Sequence, residues 1–166
     1  MMTAHEIIGF MSPALADHIL QQIASIDKQL YRGTMSSLAE ARKLRPVFLE
    51  RKPRPERHAD MIAQLSKPRH DELAGNLLRI WLMKSQAAML TEFLDALGIK
   101  HESGAVEDLP ENIEDDKLQE AVNQLLSRHE PEKVAVYLQA FNSMNDVQWP
   151  FLTGMLEKDE RLQLGG

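Results

Sequence analysis

The chain has 166 residues, 43% of them apolar and 27% charged, with no cysteine and a formal net charge of −6. That length and balance suit one folded domain with a real hydrophobic core and are far from the composition of a disordered chain. The absence of cysteine excludes a disulfide framework, a thiol nucleophile and every zinc site built on thiolates, and it fits a reducing compartment such as the cytoplasm.

No basic segment precedes the apolar stretch Ile7 to Met11, which is too short for a secretory leader. The most apolar stretch, around Leu77 to Leu90, is interrupted by Arg79 and Lys84, so no membrane span is expected. Thr3-Ala4-His5-Glu6 is a capping-box pattern and opens a short first helix to about Phe10. Ser12-Pro13 starts a second, with Leu15, Ile19, Ile23, Ile26 and Leu30 on one face and Gly33 placed to end it in a left-handed cap. Ser37 to Glu40 repeats the capping-box pattern. The helix that follows carries Leu38, Ala41, Leu44 and Phe48, and Pro46 must kink or break it. Arg51 to Arg57 holds two prolines and reads as an extended connector, and Pro55 opens a helix bearing Met61, Ile62 and Leu65.

The longest helical pattern runs from about Arg69 to Leu97. Its middle, Leu77 to Met83, is apolar nearly all round, which marks a helix enclosed by others, and Gly98 is its natural stop. From Ile99 to Glu107 the pattern changes, and a very short hairpin around Ser103-Gly104 or a plain loop both fit. Helices then start near Asn112, at Pro131 and between Asn145 and Gln148, and the tail should fray at Gly165-Gly166. The expected fold is therefore all-α: one domain over residues 1–166, a compact bundle of six to eight helices around the central helix 69–97. The helices from 112 to 166 are expected to pack as a semi-separate lobe.

The six histidines, at 5, 18, 58, 70, 101 and 129, show no helical two-histidine zinc spacing, and none has glutamate three residues before it. A looser constellation of His58, Asp60, His70, Asp71 and Glu72 has ligand and acid–base chemistry, although Asp71 and Glu72 also suit the positive end of a helix. No Gly-x-Ser-x-Gly elbow exists, and the scattered glycines exclude dinucleotide and phosphate-loop fingerprints, so no cofactor is expected. Trp81 and Trp149 lie in apolar stripes and read as core residues, and Met61, Met83, Met89, Met144 and Met155 read as core filler or as an adaptable groove.

Charge is unevenly spread. Nine Lys/Arg stand against three acids between Arg42 and Arg69, and twelve acids against three bases between Glu92 and Glu132. Arg42, Lys43, Arg45, Arg51, Lys52, Arg54 and Arg57 form the densest candidate binding surface, with Phe48 interleaved; mutual neutralisation of the two segments is the plainer alternative. The leading functional expectation is a non-enzymatic interaction protein that binds another protein, with a homodimer as one form. A nucleic-acid-associated protein using residues 42–57 is the alternative. An enzyme or metal protein built on His58 and His70 comes third.

Overall fold

The structure, a computed structural model, describes residues 2–164 apart from Glu107, Asp146 and Gln148. It is all-helical, and among the described residues the only β feature is one antiparallel bridge between Glu102 and Ala105. Ser103 and Gly104, both at positive φ, turn the chain between them, so the short hairpin read near 99–107 is reduced to a single bridge; Glu107 lies outside the described residues. The chain divides into two compact units, Thr3–Trp81 and the residues from Leu82 onward.

The first unit contains α1 (Ala4–Phe10), α2 (Pro13–Ile26), α3 (Lys28–Ala41), α4 (Val47–Glu50), α5 (Arg54–Leu65) and α6 (Asp71–Ile80), with a 3-10 turn at Pro68–His70. The Glu6 carboxylate accepts from both the Thr3 N–H and the Thr3 hydroxyl, which fixes the start of α1. Ser12 accepts from the Leu15 N–H at 3.2 Å and Pro13 takes the first helical position, so α2 begins where its sequence dictates. The helix does not run on to Gly33. Asp27 leaves helical geometry (φ −146°, ψ 82°), and its carboxylate accepts from the Leu30 N–H and starts α3. Gly33 and the Ser37–Glu40 pattern both fall inside α3, where the latter caps nothing. An aspartate among apolar residues at helical spacing is a break that periodicity alone passes over.

Pro46 breaks its helix rather than kinking it. Helix α3 stops at Ala41, Lys43 adopts φ +58°, and Pro46 stands at the N-cap of the single turn α4. Helix α5 packs against α1, α2, α3 and α6, which makes it the hub of this unit. Its inward residues Met61 and Leu65 join Ile7, Ile23, Leu38, Leu77 and Leu78 in a core with almost no solvent access.

Past α6 the chain runs through a π-helical segment, Trp81–Ser85, and then leaves helical geometry at Gln86 (φ −108°, ψ 31°), which caps α7 (Ala87–Ala96), so the helix read from 69 to 97 is divided in its middle. The boundary between the units falls inside the π-helical segment. Gly98, at φ +71°, ends α7, and the Ile99 N–H reaches back to the Leu94 carbonyl.

The second unit adds α8 (Asp115–Arg128), α9 (Pro131–Met144), α10 (Pro150–Lys158) and a final 3-10 turn at Glu160–Leu162. Asn112 lies ahead of α8, whose N-cap is Glu114. The helix start expected between Asn145 and Gln148 involves Asp146 and Gln148, which are outside the described residues, as is the glycine pair at 165–166; α10 starts at Pro150. Helix α9 is buried at every position from Val134 to Asn142 and forms the middle of this unit. Phe141 meets Phe93 edge-on at 5.3 Å and lies 5.7 Å from Trp149, a geometry that adds specific aromatic attraction to area burial. In all, ten α-helices are formed among the described residues, in keeping with a bundle of roughly six to eight: Pro46 and the π turn each divide one expected helix in two, and Asp27 moves a break without adding one.

Two substitutions separate the observed break from the one read at Gly33. Asp27→Ala should destabilise the protein by about 1 kcal/mol through loss of the cap. Gly33→Ala should stabilise it by roughly 0.5–1 kcal/mol, because an added Cβ meets nothing within 4 Å and φ is not positive there. Urea unfolding followed by circular dichroism reads both; a destabilising Gly33→Ala would restore the left-handed cap.

Candidate functional site

The basic residues gather where α3 gives way to α5. Arg42 caps α3, and a backbone bond from the Leu44 N–H to the Ala39 carbonyl (2.9 Å) turns the chain sharply. The turn forces Lys43 into the left-handed region, which disfavours a residue with a Cβ by about 1 kcal/mol. Helix α4 then buries only Leu49 and projects Phe48, 57% exposed; Leu44, four residues earlier, is 37% exposed. Lys43, Arg45, Arg51, Lys52 and Arg54 are all exposed around them.

The seven basic residues divide by partner. Arg42 grips Asp60 with two hydrogen bonds of 3.0 and 2.8 Å, and Lys52 lies 3.5 Å from the same carboxylate. Burial pushes the Asp60 carboxyl up, but the hydrogen bonds and charges of Arg42 and Lys52 outweigh it and hold it below the usual range. Arg57 reaches the Glu50 carbonyl at 3.5 Å, the outer limit of a hydrogen bond. Among the described residues, Lys43, Arg45, Arg51 and Arg54 form no ion pair. Two of the seven are thus tied into the fold, one is loosely held, and four face solvent with charge to spare.

The polar constellation read from sequence is dispersed. His58 is fully buried in α5, where Nδ1 lies 2.7 Å from the Asp17 carboxylate and Nε2 lies 2.7 Å from the Tyr31 hydroxyl. A neutral ring that donates from Nδ1 and accepts the tyrosine proton at Nε2 satisfies all three groups. Asp60 turns instead to Arg42 and Lys52. Asp71 accepts from the His5 backbone N–H at 3.0 Å and faces the His5 ring nitrogen at 2.7 Å; these bonds hold its carboxyl low. His70 is buried with its Nε2 unpartnered, and Glu72 is exposed. No group of three potential metal ligands forms among the described residues.

The sequence reading missed Asp17 and Tyr31, which lie 41 and 27 residues from His58. Nothing local announces such a pairing. The His58–Tyr31–Asp17 relay has the ingredients of acid–base chemistry, yet its imidazole has no exposure and its tyrosine is 8% exposed. The end that reaches solvent is the Asp17 carboxylate, and the imidazole behind it is sealed from any solute. The two tryptophans are buried, as are Met61, Met89 and Met155; Met83 is half exposed.

Compared with known proteins, the chain matches no protein-family profile, no curated protein and no solved structure.

Burial, opposed by the hydrogen bond and charge of Asp17, holds the His58 pKa below its ordinary 6.5. Burial and the charges of Arg69, Lys67 and Arg42 do the same for His70. A base whose folded pKa is depressed takes up protons on unfolding, so this stabilisation is full above 6.5 and is lost as pH falls through the folded values. The lowered carboxylates, Asp60 and Asp71, act in a separate window below their ordinary 3.8. Urea midpoints should consequently fall between pH 7.5 and 5 in the wild type. In His58→Gln the fall should be shallower, retaining only the share due to His70 and the other groups. An unchanged slope would mean that His58 titrates normally.

Proposed function

We propose that this chain is a non-enzymatic protein-interaction protein whose first unit docks an acidic protein surface through the basic face around α4. The observation that carries the reading is Phe48, a large aromatic side chain left 57% exposed on a one-turn helix amid four unpaired cations. An apolar anchor inside a charged rim is the anatomy of a protein-binding hot spot, and single exposed aromatics in that setting dominate binding energy. Pro46, Pro53 and Pro55 fix φ at three points around the anchor, so less chain entropy is lost when a partner docks.

A nucleic acid would also be drawn to the cations and stack on Phe48. The charge of the chain as a whole disfavours it: a net −6 works against the long-range attraction of a polyanion, whereas a compact acidic surface on a protein needs only the local basic face.

Titration with a fluorescent acidic peptide containing aromatic residues tests the reading against an equally charged single-stranded oligonucleotide. The peptide should bind at low salt. Phe48→Ala should weaken it roughly tenfold or more, and Arg51→Glu with Arg54→Glu should abolish it, without change in circular dichroism because all three side chains are exposed. Preference for the oligonucleotide would give the face to nucleic acid, and failure of both ligands would remove the basis of the proposal.

A further inference from the structure

The partner that fits this face is present in the chain itself. In the second unit, a cleft of about 460 Å³ opens where the segment ahead of α8 meets the start of α10. Half-buried Ile113 and Phe151 give it an accessible apolar lining over the buried Leu118 and Trp149, and the exposed carboxylates of Glu111 and Asp115 join them. The site is built rather than incidental: Trp149 is 2% exposed, and its indole N–H is occupied by the Pro110 carbonyl at 2.9 Å, which ties the segment ahead of α8 to the residue that caps α10. The volume lies within the range of pockets that enclose a ligand. Asp108, Glu114, Asp116 and Glu120 are exposed in the same stretch of sequence, so the cleft sits in the most acidic part of a unit with net charge −9.

A cleft that combines the accessible ring of Phe151 and the side chain of Ile113 with carboxylates is complementary to a cation carried on an apolar body. Arginine meets that description, since its guanidinium lies flat on aromatic surface while its edge bonds carboxylates. The basic face presents Arg51 and Arg54, both exposed and without an ion pair, with Phe48 three residues away from Arg51. Building on the reading that this face docks an acidic protein surface, we infer that its occupant is a second copy of this chain: the face around α4 of one molecule seats in the Glu111–Asp115–Trp149 cleft of another. The pairing closes as a two-fold dimer when both reciprocal contacts form together and otherwise extends head to tail. Because the two copies repel overall at −6 each, attraction is confined to the contact and is sensitive to salt.

Light scattering after size exclusion, on the full chain, tests this with two charge-reversed variants whose substituted side chains are all exposed. One is Arg51→Glu/Arg54→Glu, which leaves the cleft intact; the other is Glu111→Lys/Asp115→Lys, which leaves the basic face intact. At low salt the wild type should exceed its monomer mass of 18.9 kDa and should return to it by about 0.5 M salt, where screening acts over a few ångströms. Each variant alone should run as monomer. Mixed in equal amounts, they retain one intact face and one intact cleft between them and should recover a species of twice the monomer mass. A wild type that is monomeric at low salt, or an association that neither variant weakens, overturns the inference, as does a mixture that stays monomeric. The acidic-peptide titration separates the two levels of the argument. If the wild type is monomeric but its basic face still binds the peptide, only the second-copy partner falls; if the peptide also fails, the docking reading falls with it.

Discussion

The first unit is organised around a buried imidazole placed where three helices meet. His58 comes from α5, Asp17 from α2 and Tyr31 from α3, and the two hydrogen bonds of 2.7 Å leave the ring no unsatisfied nitrogen. Burying an imidazole without partners would cost several kcal/mol of lost hydration, so these helices can approach only in the register that brings the carboxylate and phenol to it. The ring also meets Tyr31 edge-on at 5.7 Å. The same contacts set the height at which α5 emerges, and therefore where Arg54 and Arg57, one turn and one residue before His58, are displayed. The buried relay and the solvent-facing cations are two ends of one positioning device.

How the chain reaches that register was partly visible in its residues. The helices that begin with a proline behind a capping residue or a connector, α2, α5 and α9, stand where the sequence puts them, because a proline at the first turn fixes φ without forfeiting a needed hydrogen bond. The glycine stop of α7 was equally plain, since Gly98 follows a long periodic run. What escaped was any decision taken by a polar residue inside an apolar pattern. Asp27 divides one periodic stretch into two helices, and the π turn at Trp81–Ser85 lies in a stretch whose composition is uniformly helix-forming. The functional geometry was less legible still: the basic residues announce themselves as a cluster, but their sorting into tied and free depends on Asp60, and His58's partners lie on helices that no local rule connects.

That sorting matters for what the surface can do. A cation already bonded to a carboxylate contributes little to a partner, because docking must replace one ion pair with another. Asp60 absorbs Arg42 and Lys52, and in doing so it anchors the turn after α3 and the connector before α5 to the body of α5. The cations left over stand on backbone whose ends are fixed by that anchor and whose interior is stiffened by three prolines. Such a face is held in place before binding, in contrast to a run of lysines on a solvated helix, which must lose rotamer freedom to meet anything.

The division of charge follows the division of the chain. The net +3 of the first unit and −9 of the second change over at the π-helical turn where one unit gives way to the next. Two such bodies in different molecules attract or repel according to which faces meet. At physiological ionic strength the Debye length of about 8 Å confines that choice to the surfaces in contact. A net negative protein can therefore recognise an acidic surface, provided the basic face is small, rigid and carries an apolar anchor to supply what screened charge cannot. Phe48 satisfies the last condition: like Phe10 and Ile26 it is a large apolar side chain of this unit left exposed, and among these three it is the one that stands amid the free cations.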